Sequence, residues 1–262
     1  MKKILTLFIV ILSFCMILSC KANEDDDKIE YLGTMEFGMY PQTKVDDVTI
    51  INELSKISLS NARGFIKYNN EYYYYKNDYY KVEPITWDVV KKGAHKYLYA
   101  SKVLDSQVFM SDEYFKVDIY AYLTKPGVPE NTRANSYEYS DLRQWLNNTF
   151  LNIAFSDDEQ SKMVKYEYDG FSDLVYTLSE DDFSLSINKA LKPTDYAKIL
   201  CDVYDGGDGK TEFIGYTLYW LRNANHNVPY QVYSMNYDGI IYEFVDCYYR
   251  HIGVRPVIKI DA

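Results

Sequence analysis

Three aspartates in the segment CDVYDGGDGKTE make calcium the first metal to weigh in this chain. Asp202, Asp205 and Asp208 lie in a glycine-rich acidic loop with Glu212 beyond, and hard oxygen ligands on such a loop suit Ca²⁺. The spacing departs from the EF-hand pattern, so a solvated acidic turn stands beside the metal reading. Two cysteines, Cys201 and Cys247, either close a disulfide in an exported protein or sit as two buried free thiols. His226 and His251 are the imidazoles that could serve Cys247 as a thiol–imidazole pair, but no nucleophile motif supports that pairing. No zinc spacing, phosphate-binding lysine loop or dinucleotide fingerprint occurs. With 38 acidic residues, a carboxylate pair for hydrolysis remains open.

Binding has a denser signature than catalysis. Between Trp220 and Tyr249 the chain concentrates Asn223, Asn225, His226, Tyr230, Tyr233, Asn236 and Tyr237. Tyrosine rings cover apolar ligand faces, while asparagine amides satisfy hydroxyl or peptide groups. Strand alternation turns about half of such tyrosines toward a core, which limits how many face a ligand. The chain holds 29 Tyr against 12 Phe and 3 Trp, and half-buried strands absorb most of that excess.

The elements around these residues follow from periodicity. Val48, Ile51, Leu54 and Ile57 predict a helix from about residue 47 to 57. Residues 65 to 76 predict a hairpin turning at Asn69-Asn70, and residues 82 to 90 a strand in which Pro84 demands an edge or a bulge. Ser140 caps a helix with an apolar stripe of Leu142, Trp145, Leu146 and Ile153, Ser156 opens a capping box, and Thr194 caps a third helix. Strands return at 216 to 222, at 230 to 236 paired with 240 to 245 across Asp238-Gly239, and at 253 to 260. Short helices bracketed by hairpins predict an α+β fold with mainly antiparallel sheets.

Location is read from the first twenty residues. Lys2 and Lys3 precede an apolar run from Ile4 to Leu18 that ends Ile-Leu-Ser-Cys. This is the pattern of a secretory signal over residues 1 to 19, with Cys20 as a lipidated new N-terminus. The run is shorter than the roughly 20 apolar residues of a membrane span. Residues 20 to 30 then read as lipidated Cys and flexible tether, and 31 to 262 as a single extracytoplasmic domain in the cell envelope. Removing the signal leaves 26 basic against 38 acidic residues, a net charge of −12. Such a surface disfavours nucleic acid and electrostatic docking on anionic lipids, so the expected link to the membrane is the lipid.

The ordered segments FGMYPQT, YYKVEPITWDVV, YASKVLDSQVF, YSDLRQWLNNTFLNIAFSDDEQ, VYTLSEDDF, KPTDYA, LYWLRNAN and HIGVRPVIKI resemble a family of bacterial extracellular domains of unknown function, over about residues 37 to 260. The closing order of WLR, an Asp-Gly turn and GVRP is also distantly similar to the sulfatase-modifying-factor-like branch of C-type-lectin-like folds. That resemblance implies terminal strands lying near each other, loops that build a variable ligand surface, and Trp220, Arg222 and Arg255 as framework positions. The two arginines are expected to hold carbonyls or carboxylates inside the fold. The paired C-terminal cysteines of formylglycine-generating enzymes and the Trp-Asn-Asp and Glu-Pro-Asn motifs of calcium-dependent lectins do not occur here. The expected function is therefore a non-catalytic, membrane-anchored binder of a glycan, a peptide or a cell-surface protein, without an obligatory cofactor. A degenerate oxidase, a carboxylate-based hydrolase and a structural envelope protein are the alternatives.

Overall fold

The computed structural model describes residues 28–261 apart from Leu59, Asp169 and Ser186. The signal segment, Cys20 and nearly all of the tether lie outside the described residues. The first strand, β1 (Ile29–Lys44), pairs antiparallel along β4 (Asp78–Lys92) from Ile29 opposite Lys92 to Lys44 opposite Tyr80. Between them, α1 (Val48–Leu54) is capped by the Asp47 carboxylate, which accepts the Thr49 and Ile50 amides. It is followed by the hairpin β2 (Ile66–Tyr68) and β3 (Glu71–Lys76). Asn69 and Asn70 turn that hairpin with φ of 48° and 64°, the left-handed pair a two-residue turn requires.

Pro84 sits where β4 changes partners. On one side β3 pairs up to Val82 and β5 (His95–Ala100) takes over from Trp87. On the other, the β1 register shifts between Glu36–Thr86 and Met39–Pro84. The missing amide therefore falls in a bulge, as expected for proline within a sheet. The sheet continues through β14 (Pro256–Asp261) to β9 (Val175–Thr177). The first and last strands thus share one sheet, with β4 and β5 between them.

A second sheet runs in the order β12 (Ile241–Asp246), β11 (Gln231–Met235), β10 (Tyr219–Ala224), β13 (Gly253–Val254), β6 (Asp105–Ser106). A small ribbon joins β7 (Tyr166–Tyr168) to β8 (Phe171–Asp173). The strand pairings are antiparallel except for β10 with β13. The fold is α+β, mostly antiparallel sheet with a few short helices. No helix among the described residues is long and apolar enough to cross a membrane.

The helical segments cover the first sheet. α2 (Asp141–Trp145), capped by Ser140 Oγ, continues through a π turn at Leu146–Phe150 into α3 (Leu151–Ala154). α4 (Asp157–Gln160) opens with the Ser156–Glu159 capping box, and α5 (Asp195–Lys198) is capped by Thr194. Leu142 and Leu146 are buried as the stripe required, while Trp145 and Ile153 are half-buried. Gly38 lies against this layer at φ 72°. A side chain there would stand 2.5 Å from the Phe155 ring and 2.9 Å from the Ala154 carbonyl, so the FGMYPQT segment can approach only as glycine. The main core joins Tyr40, Ile85 and Trp87 to Phe109, Phe150 and Trp220, so strands before and after residue 105 close over one interior.

Arg255 is fully buried where the two sheets meet. Its Nε donates to the Ala100 carbonyl (2.8 Å), Nη1 to the Asn188 carbonyl (2.7 Å) and the Tyr219 hydroxyl (3.2 Å), and Nη2 to Asp88 Oδ2 (3.3 Å). Trp220 is equally buried and donates Nε1–H to the Gln107 carbonyl at 2.8 Å. Both are framework residues, and Arg255 holds carbonyls and a carboxylate as the sequence implied.

A tyrosine-walled cleft around Arg222

The residue that organises the candidate site is Arg222 on β10. Tyr219, Trp220 and Leu221 anchor the strand in the interior, and the Arg222 amide donates to the Leu178 carbonyl at 2.8 Å just beyond β9. The side chain is thereby delivered into the gap between β10, β9 and the β7–β8 ribbon. Its Nη1 donates to the Thr177 carbonyl (2.8 Å) and lies 3.7 Å from Asp182 Oδ2, and its Nη2 donates to the Tyr166 hydroxyl (3.3 Å). The guanidinium sits 5.3, 5.6 and 5.8 Å from the ring centroids of Tyr166, Tyr168 and Tyr176, within cation–π range of all three.

Those rings are themselves ordered. Tyr166 stacks on Tyr176 at 4.3 Å and 15°, and on Tyr168 at 5.7 Å and 27°, while Tyr97 meets Tyr166 edge-on. The Tyr168 hydroxyl donates to Asp173 Oδ2 at 2.6 Å, and Arg143 grips both oxygens of the same carboxylate at 2.7 and 2.8 Å. Burial, reinforced by neighbouring carboxylates and phenols, pushes the hydroxyls of Tyr97, Tyr99, Tyr168 and Tyr176 above the ordinary tyrosine value. They remain neutral groups able to donate and accept hydrogen bonds.

Two adjoining cavities open beside this assembly. One, of about 180 Å³, is lined by Tyr97, Tyr99, Tyr166, Tyr176, Lys92 and Asp182 among others. The second, of about 510 Å³, is lined by Tyr137, Glu138, Tyr168, Asn135 and Asn223. Tyr166, Ser179, Asp181 and Arg222 line both, so the two form one cleft with a shared waist. Its lip is fixed by the 3₁₀ turn Glu180–Ser184, where Ser179 and Asp182 make a capping box and Asn223 exchanges hydrogen bonds with Glu180. Aromatic faces, neutral hydroxyls, an amide and several carboxylates make a surface that can stack on a flat apolar face and hydrogen-bond its hydroxyl rim.

Of the binding residues read from sequence, Asn223 alone lines this cleft. Asn225 is buried and closes its own loop: its Oδ1 accepts the Asn227 and Val228 amides and its Nδ2 donates to the Glu243 carbonyl. His226 is exposed, and its carbonyl accepts from Arg133. Tyr230 packs against the main core and Tyr233 against the second one. Asn236 belongs to the β11–β12 turn, where its amide donates to Ile240. Tyr237 stacks on Tyr204 at 3.9 Å and donates to Asp208 Oδ2 at 2.6 Å. The structure disperses these residues because close neighbours on β11 and its turns face different surroundings.

The acidic loop is not gathered either. Asp202 accepts the Tyr249 hydroxyl at 2.6 Å, Asp205 closes a turn on the Gly207 amide, and Asp208 takes Tyr237. Each carboxylate is directed to a different donor, and no group of three metal-ligating side chains occurs among the described residues. Of the two readings of the cysteines, the structure matches the second: Cys201 and Cys247 are free thiols buried in separate parts of the core. Burial pushes the Cys201 thiol up to about 12 and that of Cys247 higher still, so neither is a ready nucleophile. His251 Nδ1 lies against the Leu200 carbonyl at 2.9 Å. Brief alkylation of the native protein is expected to leave both cysteines unmodified, with both reacting in urea. Peptide mapping that found either alkylated in the native state, or the two linked, would contradict this placement.

Tyr97, Tyr99, Tyr166, Tyr168, Tyr176, Asp181 and Asp182 line the cleft without a local sequence motif that marks them. Their signal was present in part, since Tyr97 with Tyr99 and Tyr166 with Tyr168 are spaced two apart on strands. What no local pattern shows is that β5, β7 and β9 converge on β10. A family model described as a domain of unknown function, DUF6273, matches residues 105–262, which include β7, β9 and β10 but not Tyr97 and Tyr99 on β5. No curated protein and no solved structure matches the chain. The match takes in more than half of the sequence, and the chain belongs to the DUF6273 family.

Proposed function

We propose that this protein is a non-catalytic binding lipoprotein of the cell envelope, and that the cleft around Arg222 is where it holds a glycan. The observation that carries this reading is the ordered set of neutral tyrosine rings lining two joined cavities. Sugar rings offer one flat apolar face for such rings and equatorial hydroxyls for the adjoining carboxylates and amides. The elongated, waisted form suits a ligand of more than one unit. Arg222 is already engaged by three rings, a carbonyl and Asp182, so it serves as the scaffold of the wall rather than as a free anion receptor. Asp181, Asp182 and Glu138 outnumber Lys92 in the lining, which favours neutral sugars and amino sugars over acidic ones.

The lipid anchor at Cys20 and the extracytoplasmic location are part of the same proposal and rest on the N-terminal signal pattern. The C-type-lectin-like arrangement belongs to it too, supported by terminal strands in one sheet and by Trp220 and Arg255 at the junction of the sheets. A glycan array probed with the full-length chain tests the binding reading. Saturable binding to neutral or amino-sugar oligomers is expected, unchanged by a chelator. A blank array from demonstrably folded protein would overturn the glycan assignment and direct the search to peptides.

A further inference from the structure

The net acidity of the chain conceals a basic end. The β4–β5 hairpin reads Lys91-Lys92-Gly93-Ala94-His95-Lys96, and Lys91 and Lys92 face Glu30 and Ile29 across β1. Lys28 precedes that strand and is exposed. Lys162 is exposed next to Met163, which bridges to Ile260, the partner of Lys96. Five lysines therefore share this end with Glu30 and with Asp261, which lies 3.3 Å from His95, while Asp181 and Asp182 line the adjoining cavity behind Lys92. Among the described residues none of these lysines has a carboxylate within ion-pair distance, whereas Lys44, Lys125 and Lys210 elsewhere are paired at 2.7 to 2.8 Å. Beside them Ile29, Tyr31 and Leu32 are each more than two-fifths exposed.

We infer that this end of the first sheet is a docking surface for anionic phospholipid. The second observation, independent of charge, is where the chain enters. The segment from Cys20 to Lys28 leads into β1 at this end and spans at most about 30 Å. The inference rests on the lipid-anchor reading in this respect: a lipid at Cys20 would hold this end, rather than the acidic remainder, nearest the bilayer. Whole-chain charge disfavours such docking at long range. Within the Debye length of about 8 Å at physiological salt only the nearest groups count, and here those are unpaired lysines beside exposed apolar side chains. Docking in this pose sets the Ile29–Lys92 mouth of the smaller cavity near the membrane.

The test uses the processed full-length protein with vesicles of phosphatidylcholine alone and of phosphatidylcholine with phosphatidylglycerol at about 2:1. Flotation with the neutral vesicles reads the anchor, and a chain that does not float there overturns the anchor reading alone. Hydrogen exchange then reads the surface. Amides of residues 91–96 are expected to exchange at least about fivefold more slowly on the anionic vesicles than on the neutral ones. The difference should vanish at about 0.5 M salt, and in the triple variant Lys91→Glu/Lys96→Glu/Lys162→Glu. If the anchor fails, flotation with anionic but not neutral vesicles supports the surface by itself. Equal exchange on both vesicles, or an anionic effect that survives salt and the triple variant, would overturn it.

Discussion

Raising the pH above 10 is expected to unfold this protein cooperatively, with loss of structure between about pH 11 and 12. Six of the eight buried tyrosines, Tyr40, Tyr99, Tyr137, Tyr176, Tyr196 and Tyr219, suffice for the argument, and burial raises every one of their phenols above the ordinary value of 10. Below pH 10 both folded and unfolded forms keep these protons, and stability is indifferent to pH on their account. Above it the unfolded chain ionises while the folded chain does not, so the unfolded state binds fewer protons and stability falls. Each group costs about 1.4 kcal/mol per pH unit, so six cost about 8 kcal/mol per unit. A total stability of about 5–15 kcal/mol is exhausted within one or two units. Cys201 and Cys247 add to the same trend from about pH 9. Tyrosinate absorbance recorded with circular dichroism checks this. Exposed phenols should titrate first, and the buried group should appear in one step that coincides with loss of the dichroic signal. A single smooth titration near pH 10 with structure intact would refute the placement of these rings.

Replacing Arg255 with alanine is expected to remove about 3–5 kcal/mol, enough to unfold a marginal domain. The cost comes from what is left behind: the Asp88 carboxylate, two main-chain carbonyls and the Tyr219 hydroxyl lose a shared donor in the interior. Because those acceptors lie on β4, β5, β10 and the segment at Asn188, the change loosens the junction of the two sheets. Lysine keeps the charge but cannot reproduce a planar fork, so Arg255→Lys should recover only part of the loss. Urea unfolding midpoints measure both. A loss under about 1 kcal/mol for Arg255→Ala would show that the buried guanidinium is not a structural hub.

Local elements were legible in the sequence, because each depends on neighbours along the chain. The Asn69-Asn70 hairpin, the Asp238-Gly239 turn and the caps at Ser140, Ser156 and Thr194 all stand where their residues placed them. Trp220 and Arg255, framework positions only by the distant resemblance, are buried and hydrogen-bonded inside the fold. The site was not legible in the same way. The dense Asn and Tyr run after Trp220 suggested a surface, but Asn225, Tyr230 and Tyr237 are consumed by loop closure, core packing and the Asp208 contact. The cleft draws Tyr97, Tyr166, Tyr176 and Arg222 from positions more than a hundred residues apart. Its assembly depends on sheet order, which no local period encodes. In the acidic loop, spacing brings carboxylates near one another along the chain, but Tyr237 and Tyr249 turn two of them to separate partners.

The decisive measurement is a titration of the strongest array ligand against two double variants. Tyr97→Ala/Tyr166→Ala strips rings that line the cleft while leaving the buried core in place. Tyr233→Ala/Tyr237→Ala strips the surface that residue pattern alone would favour. The cleft pair is expected to weaken binding at least tenfold, the effect of about 1.4 kcal/mol, with the second pair within about twofold of the parent. Loss in the second pair with full binding in the cleft pair would contradict the assignment and return the site to the β11–β12 surface.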